Sequence, residues 1–228
     1  RLGGLGVIHR YNTIEQQTEL VKTVTAQGDS VAAAIGVTGD FLERAQEVVA
    51  AGAGVVCIDI AHGHHVMMKE ALKKLRSFFP NELHIMAGNV ATLQAFDDLA
   101  DWGASSIRVG IGGGSICSTR IVTGHGVPTL QSVLDCSLSR SDVKIIADGG
   151  IKTTGDIVKS IAAGADFVMV GSMLAGTNET PGAVLESPNG EKYKEYRGMA
   201  SKKAQHSWRG KSSTPEGVAT TVPFLQRR

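Results

Sequence analysis

The sequence predicts a (β/α)₈ barrel, an α/β fold of parallel strands, present here without its first strand. Two observations carry that prediction. Short apolar runs rich in Val, Ile and Ala alternate with segments of helical periodicity, the pattern of a parallel sheet covered on both faces. Polar or glycine residues then follow nearly every run: His9, Gly36, Asp59, Gly88–Asn89, Gly110–Gly114, Asp148–Gly150 and Gly171–Ser172. In a barrel such positions converge on one catalytic mouth. In a doubly wound open sheet, the rival architecture, only the switch point is used.

The elements follow in order. A strand over Gly6–His9 leads into a helix over Thr13–Val24, and Gln27-Gly-Asp-Ser30 links it to a strand over Val31–Ile35. A helix over Phe41–Ala51 precedes a strand over Val55–Ile60, and a helix over Met67–Phe79 precedes one over Leu83–Met86. A helix over Thr92–Ala100 leads to a strand over Ser106–Val109, and a helix over Thr129–Leu134 to one over Val143–Ala147. In the last helix, Thr154–Ala163, Ile157, Ile161 and Ala162 share a face and Gly164 is a plausible stop before a strand over Phe167–Val170. That makes seven strands where closure needs eight. The chain opens on Arg1 rather than Met and enters a strand almost at once, so the missing strand is expected upstream.

Two stretches read as long loops, Gly110–Pro128 and Gly176 to about Gln205; loops of that length in a compact domain are usually functional. The tail Ser207–Pro223 holds few large apolar residues and reads as a flap over the mouth or as a frayed terminus. The expected organisation is one barrel domain over residues 1–228, with a C-terminal flap around 176–228 and no inserted regulatory domain.

Composition excludes several classes. Apolar residues make up 42% of the 228, enough for a sizeable core. The formal net charge of +1 offers no basic field for nucleic acid or for a membrane surface. No apolar run approaches the length of a membrane span and no signal peptide is visible. The three cysteines, Cys57, Cys117 and Cys136, cannot form a complete disulfide set and suit a reducing, cytoplasmic compartment.

The segment Val109-Gly-Ile-Gly-Gly-Gly-Ser-Ile-Cys117-Ser-Thr119-Arg120 carries the most chemistry. Its glycines free the backbone to turn N–H or C=O groups toward a ligand. A cysteine on such a loop can serve as a nucleophile once its surroundings favour the thiolate. For an arbitrary sequence the plainer reading, a glycine-rich turn around a structural cysteine, has the stronger claim. The loops after the last two strands, with Gly149–Gly150 and Gly171–Ser172, suit a phosphate, helped by a nearby helix N-terminus. Asp148 has the acceptor character that ribose hydroxyls need, unless it merely caps a helix. His62-Gly-His64-His65 lacks the accompanying ligands a metal would require.

The cysteine segment resembles the catalytic loop of the IMP dehydrogenase and GMP reductase family. Further matches run in register along the chain: Gly3-Gly-Leu-Gly-Val-Ile-His9, Gly36-Val-Thr-Gly-Asp40, Asp59-Ile-Ala-His-Gly-His64, Met86-Ala-Gly-Asn-Val90, Ala147-Asp-Gly-Gly-Ile151, Val170-Gly-Ser-Met-Leu-Ala175 and Tyr196-Arg-Gly-Met199. The resemblance implies a (β/α)₈ barrel, usually a homotetramer, whose ligand is a purine mononucleotide, GMP or IMP. It makes Cys117 the nucleophile toward the purine C2, with Thr119 and Glu216 as its catalytic partners. Ser115, Asp148, Gly149, Gly150, Gly171, Ser172, Gly198 and Met199 would hold the mononucleotide. Asp59, Gly110 and Gly112 would hold the nicotinamide cofactor, NADPH or NAD. The carbonyls of Gly112, Gly114 and Cys117 would ring a monovalent cation, K⁺. Gly113 stands where the family more usually has Pro or Ser, and Ala200 where it often has Ser or Gly; the first departure bears on loop stiffness and the cation site, the second on one polar contact.

The two activities divide the evidence. Gly36–Asp40 and Ala61–His64 look like bacterial dehydrogenases, whereas Thr119–Leu130, with its Thr-Gly-His-Gly, resembles the reductase. Dehydrogenases carry an Arg-Tyr pair that activates water; here Arg209 follows Trp208 and no Tyr follows it. Thr119 and Glu216 match the pair that protonates departing ammonia in the reductase, although Glu216 is common to both. The expected activity is therefore reduction of GMP to IMP with NADPH. Oxidation of IMP to XMP with NAD is the alternative, and a non-catalytic purine-nucleotide-binding module the second alternative.

Overall fold

The computed structural model describes residues 3–80, 83–198, 201–209 and 217–225. Seven strands form one sheet: β1 (Gly6–Ile8), β2 (Val31–Ile35), β3 (Val55–Asp59), β4 (His84–Val90), β5 (Ser106–Val109), β6 (Lys144–Asp148) and β7 (Phe167–Met169). They stand in chain order and every neighbouring pair is parallel. Between them run α1 (Ile14–Thr25), α2 (Phe41–Ala50), α3 (Val66–Phe78), α4 (Leu93–Asp101), α5 (Thr119–Thr123), α6 (Thr129–Cys136) and α7 (Thr154–Ala162). All seven expected strands and all six expected helices are present, most within a residue or two of their expected bounds. The strand expected to end at Met86 instead runs on to Val90, with a register shift between Gly88 and Val90.

Strand alternation sorts the core into two layers. Val56, Ile58, Ile85, Ala87, Ile107, Val109, Ile145 and Ala147 face the helices and meet Val48, Leu72, Leu75, Phe96, Leu99 and Val133. The opposite face is small: Ala34, Cys57, Met86 and Ile146 form one cluster, against which Val7 of β1 and Met169 of β7 both pack. Since the two edge strands contribute to the same interior, the sheet curls toward itself. Edge pairing between β1 and β7 is absent among the described residues.

Helix starts follow local chemistry. Thr13 accepts from Gln16 N at 3.2 Å while Gln16 Oε1 accepts from Thr13 N at 3.1 Å, a reciprocal cap that starts α1. Thr153 and Asp156 do the same for α7. That cap engages the N–H groups of Thr153 and Asp156.

The two stretches read as loops differ from expectation. Gly110–Pro128 contains α5. Beyond β7 come α8 (Ser172–Ala175), β8 (Leu185–Glu186), β9 (Lys192–Arg197), α9 (Lys202–Arg209) and β10 (Ala219–Pro223). The three strands make an antiparallel sheet in the order β10-β9-β8. Ser187-Pro-Asn-Gly190 turns β8 into β9, with Gly190 at φ 80°. Lys194 in β9 is buried and donates to the carbonyls of Thr177 and Thr180, tying the sheet to the turn after α8. Among the described residues, no helix is long and apolar enough to cross a membrane.

Candidate functional site

A cavity of about 510 Å³ opens at the C-terminal ends of the parallel strands. It is lined by Asp59 at the end of β3, Asn89 in β4, Arg108 in β5, the Gly110–Gly114 loop with Ile116, Cys117 and Thr119, and Asp148 at the end of β6 with Gly149 after it. Arg10 and Tyr11 close one side, and Gly198, Gln205, Trp208 and Gly217 another. The Tyr11 and Trp208 rings meet edge-on, centroids 5.0 Å apart, and the Arg10 guanidinium lies 4.9 Å from the Tyr11 ring centre.

The cysteine loop reaches this position through close backbone approach. Gly110 has φ 144°, and a Cβ there would run into the Asp148 carbonyl. Gly113 and Gly149 also pack backbone to backbone: a Cβ on Gly149 would stand 3.1 Å from Gly113 C and Gly114 N, and one on Gly113 would meet the Thr129 hydroxyl. The glycine where the family more usually has Pro or Ser therefore fits a tight local packing. Cys117 N donates to Gly114 O at 3.1 Å, and the Cys117 thiol donates to Thr119 Oγ1 at 3.1 Å. Cys117 is half-buried, whereas Cys57 and Cys136 are fully buried.

The C-terminal sheet clamps this loop. Val218 N donates to Ile116 O at 3.0 Å, Gly217 N donates to Ser118 Oγ, and Gly198 N donates to Val218 O at 3.0 Å. Each neighbour of Cys117 is thus held from the segment leading into β10. Glu216 and Met199, expected at the site, lie outside the described residues, as do Ala200 and the side chain of Arg209.

Beneath the cavity is a buried polar network. Arg108 Nη2 donates to Asp59 Oδ1 at 2.6 Å, and its Nη1 stands 3.5 Å from Asp148 Oδ2. Asn89 Nδ2 donates to Asp148 Oδ2 and to Gly110 O, both at 2.9 Å. Asp148 is therefore aimed into the mouth and caps no helix. Burial opposes ionisation of Asp59, but the Arg108 guanidinium, with Arg10 beyond it, outweighs this and holds the carboxyl below its usual range. Burial also works against the charge on Arg108; the anionic groups around it more than offset that and raise its pKa.

Of the expected phosphate residues, Gly149 lines the cavity itself, and Gly171 and Ser172 follow β7. Tyr196 joins them: its hydroxyl is hydrogen-bonded to Ser115 and would stand 3.0 Å from a Cβ on Gly171. Burial of this phenol is the main cause of its raised pKa. Among the described residues, none of the N–H groups of Gly149, Gly150, Gly171 and Ser172 is spent on a backbone carbonyl. Gly150 lines a neighbouring cavity of about 400 Å³ with Gly112, Gly113, Arg120, Thr129 and Lys159.

Asp59, Gly110, Gly112, Gly114, Cys117, Thr119, Asp148, Gly149 and Gly198 thus line one cavity, and Ser115 and Gly171 meet at the Tyr196 hydroxyl. Sequence reasoning passed over Arg108, Arg10 and Tyr11, and named Asn89, Tyr196 and Trp208 without the contacts they make here. Arg108 did leave a signal, as a lone charge inside an otherwise closed strand. Two of the three histidines of the β3–α3 loop have local partners: His64 pairs with Asp98 at 2.8 Å and stacks on Trp102, and His65 Nδ1 accepts from Met67 N to start α3.

Comparison with known proteins agrees with this geometry. The chain is 45% identical over 208 residues to inosine-5'-monophosphate dehydrogenase of Nitrosopumilus maritimus, covering 85% of this chain and 43% of that protein. It is 46% identical over 233 residues to GMP reductase of Leishmania major, covering 96% of this chain and 47% of that protein. The crystal structure of a cysteine-to-alanine variant of GMP reductase from Trypanosoma brucei, in complex with guanosine 5'-monophosphate, superimposes with a TM-score of 0.81. That match has 45% identity and covers 86% of this chain and 42% of that one. The chain thus spans less than half the length of these relatives. The family model described as the IMP dehydrogenase / GMP reductase domain matches residues 1–226, and the chain belongs to that family of purine nucleotide oxidoreductases.

Proposed function

We propose that this chain carries the catalytic site of a GMP reductase, converting GMP to IMP and ammonia at the expense of NADPH. The observation that carries the reading is Cys117, half-buried at the cavity wall and hydrogen-bonded to Thr119 at 3.1 Å. A cysteine nucleophile with a hydroxyl beside it is the apparatus for displacing an exocyclic amine in two steps.

The mononucleotide places its phosphate on the N–H groups of Gly149, Gly150, Gly171 and Ser172, with Ser115 and Tyr196 beside it. Its ribose hydroxyls donate to Asp148, and its base lies along Gly198 and Met199. The Cys117 thiolate adds to purine C2. Thr119 and Glu216 pass a proton to the amino nitrogen, which leaves as ammonia, and C2 remains bonded to sulfur. The cavity, with Asp59 and the Gly110–Gly112 backbone at one end, has room and acceptors for a nicotinamide ribose; the dinucleotide supplies the hydride that releases IMP and the thiolate. The carbonyls of Gly112, Gly114 and Cys117 offer K⁺ an all-oxygen site that would stiffen the loop.

In this reading the seven strands are seven of the eight of a (β/α)₈ barrel, residues 1–228 form its single catalytic domain with a C-terminal flap, and the whole is a cytoplasmic homotetramer. The oxidative alternative, IMP to XMP with NAD, rests on the 45% identity to the IMP dehydrogenase of Nitrosopumilus maritimus, close to the 46% to the GMP reductase of Leishmania major.

Absorbance at 340 nm separates the two. A fall with GMP and NADPH, and no rise with IMP, NAD and K⁺, is the expected result. A rise in the second mixture alone would make the enzyme a dehydrogenase and would overturn the role given to Glu216 in releasing ammonia.

A further inference from the structure

We infer that the second cavity, beside the catalytic mouth, is a separate binding site for a phosphate monoester, held by the guanidinium of Arg120 and the hydroxyl of Thr129.

This cavity, of about 400 Å³, lies between the loop that leads into α6 and the first turns of α7. Gly112, Gly113 and Gly149 line it and the catalytic mouth alike, so glycine backbone divides the two. Asp59, Cys117 and Thr119 belong to the mouth alone. None of the chemistry proposed above uses the side chains of the second cavity.

Two of its polar groups are built in and unspent. The stem of Arg120, an exposed residue, runs between two glycines: a Cβ on Gly112 or on Gly126 would stand 2.5 Å from its Cγ. That slot sets the course of the side chain, and the guanidinium at its end has neither a hydrogen bond nor an ion pair among the described residues. The Thr129 hydroxyl is the second group. It occupies the space that a Cβ on Gly113 would need, is buried, and has no hydrogen-bond partner. A buried hydroxyl is normally paired, so an orphan in a cavity wall points to a ligand. Gly113, where the family more usually has Pro or Ser, is what makes room for it.

Charge and polarity choose the ligand. The ionic groups of the lining are Arg120, Lys159 and Asp156. Asp156 is consumed locally: it accepts from the N–H groups of Lys152 and Thr153 and from the Thr153 hydroxyl, and it pairs with Lys159 at 2.8 Å. The lining therefore carries one cation in excess, and an anion is its complement. A phosphate has oxygens for a guanidinium fork with one left for a hydroxyl, whereas a carboxylate commits both of its own to the fork. Val127, Pro128, Leu130 and Ile151 complete the wall with apolar surface. A bare ion would leave that surface idle; the carbon skeleton of an ester covers it.

The test fills the mouth first. Purified protein saturated with GMP is titrated by calorimetry with ribose 5-phosphate and, separately, with inorganic phosphate. One further equivalent of each is expected to bind, the ester more tightly. Arg120→Gln should weaken the ester by about ten-fold or more, as for loss of a charge-assisted hydrogen bond. Thr129→Val keeps the shape and removes the orphan hydroxyl. It should weaken the ester several-fold without lowering the thermal midpoint, so it remains informative if Arg120→Gln fails to fold. A hydroxyl with a purely structural role would do the reverse, costing stability when removed and sparing the ester. Both variants should bind GMP within a few-fold of the unsubstituted protein, since neither side chain lines the mouth. Absence of a second binding event in the GMP-saturated protein, or an ester affinity indifferent to both substitutions, overturns the inference. So does an ester bound no more tightly than inorganic phosphate. If the unsubstituted protein binds no GMP, the functional reading fails by itself, and the same titrations on the unliganded protein still decide whether this site exists.

Discussion

Cys117 differs from the other two cysteines in surroundings rather than in kind. Burial pushes the Cys57 thiol up to about 11 and the Cys136 thiol up to about 12, which leaves both as inert core thiols at neutral pH. Cys117 lines the cavity with a hydroxyl partner. Limited iodoacetamide should therefore alkylate Cys117 first, and bound mononucleotide should protect it; mass spectrometry showing Cys57 or Cys136 modified first would reverse the assignment. Cys117→Ala should lower turnover by on the order of 10³-fold or more and change mononucleotide affinity only a few-fold, since a removed nucleophile costs the chemical step. Retained turnover would eliminate the covalent route. Gly110 is the second residue whose identity the site depends on. Its φ of 144° and its contact with the Asp148 carbonyl leave no room for a side chain. Gly110→Ala should cost a few kcal/mol, from strain and overpacking together, and should displace Asp148. Urea unfolding and mononucleotide calorimetry on this variant would show both effects.

At the scale of elements, helix α1 holds the rim of the mouth through one buried glutamine. Gln17 Nε2 donates to the carbonyls of Ile8, His9 and Ala34, and its Oε1 accepts from Arg44 Nη1 at 2.9 Å. Arg44 continues to the Asn12 carbonyl and to Asp40. The ends of β1 and β2, and with them Arg10 and Tyr11, are thereby fixed from α1 and α2. Gln17→Leu should destabilise the fold by about 2–3 kcal/mol, the cost of leaving buried partners unpaired, and should raise KM more than it lowers kcat. An unchanged denaturation midpoint would show that water replaces the amide. Here lies the limit of what the sequence makes legible. Strands such as Val31–Ile35 and Val55–Asp59 announce themselves because both faces are covered and nearly every position is apolar. Cys117 and the glycines around it stand out because the loop breaks that pattern. Strand β9, Lys-Tyr-Lys-Glu-Tyr-Arg, lies half in solvent and carries no apolar alternation, so the C-terminal sheet reads as loop. Gln17 and Tyr196 look like ordinary polar residues in their own segments; their importance comes from partners far away in the chain, which periodicity cannot report.

At the scale of the whole molecule, the seam between β1 and β7 is the place where fold and function are tested together. Both strands send side chains into the one interior cluster, yet neither pairs along its outer edge among the described residues. Phe167, on the same side of β7 as Met169, is 58% exposed, and Val158 and Ile161 on α7 are exposed nearby. An unpaired parallel edge has no ladder partner for half of its N–H groups, and such regions open locally at small free energy. In residues 1–228 alone, amides of β1 and β7 are expected to exchange with deuterium well before those of β3, β4 and β5, whose neighbours cover both edges. If the barrel reading holds, a longer polypeptide that supplies one more parallel strand to this seam should slow β1 and β7 to the rate of the centre. It should also tighten mononucleotide binding, because the loop after β7, part of the proposed phosphate site, would then rest on a paired strand. Exchange at β1 and β7 as slow as at β4 in the isolated chain would mean that the seam is already closed in solution. An eighth strand would then have no edge to join, and a seven-stranded curl would have to support the chemistry by itself.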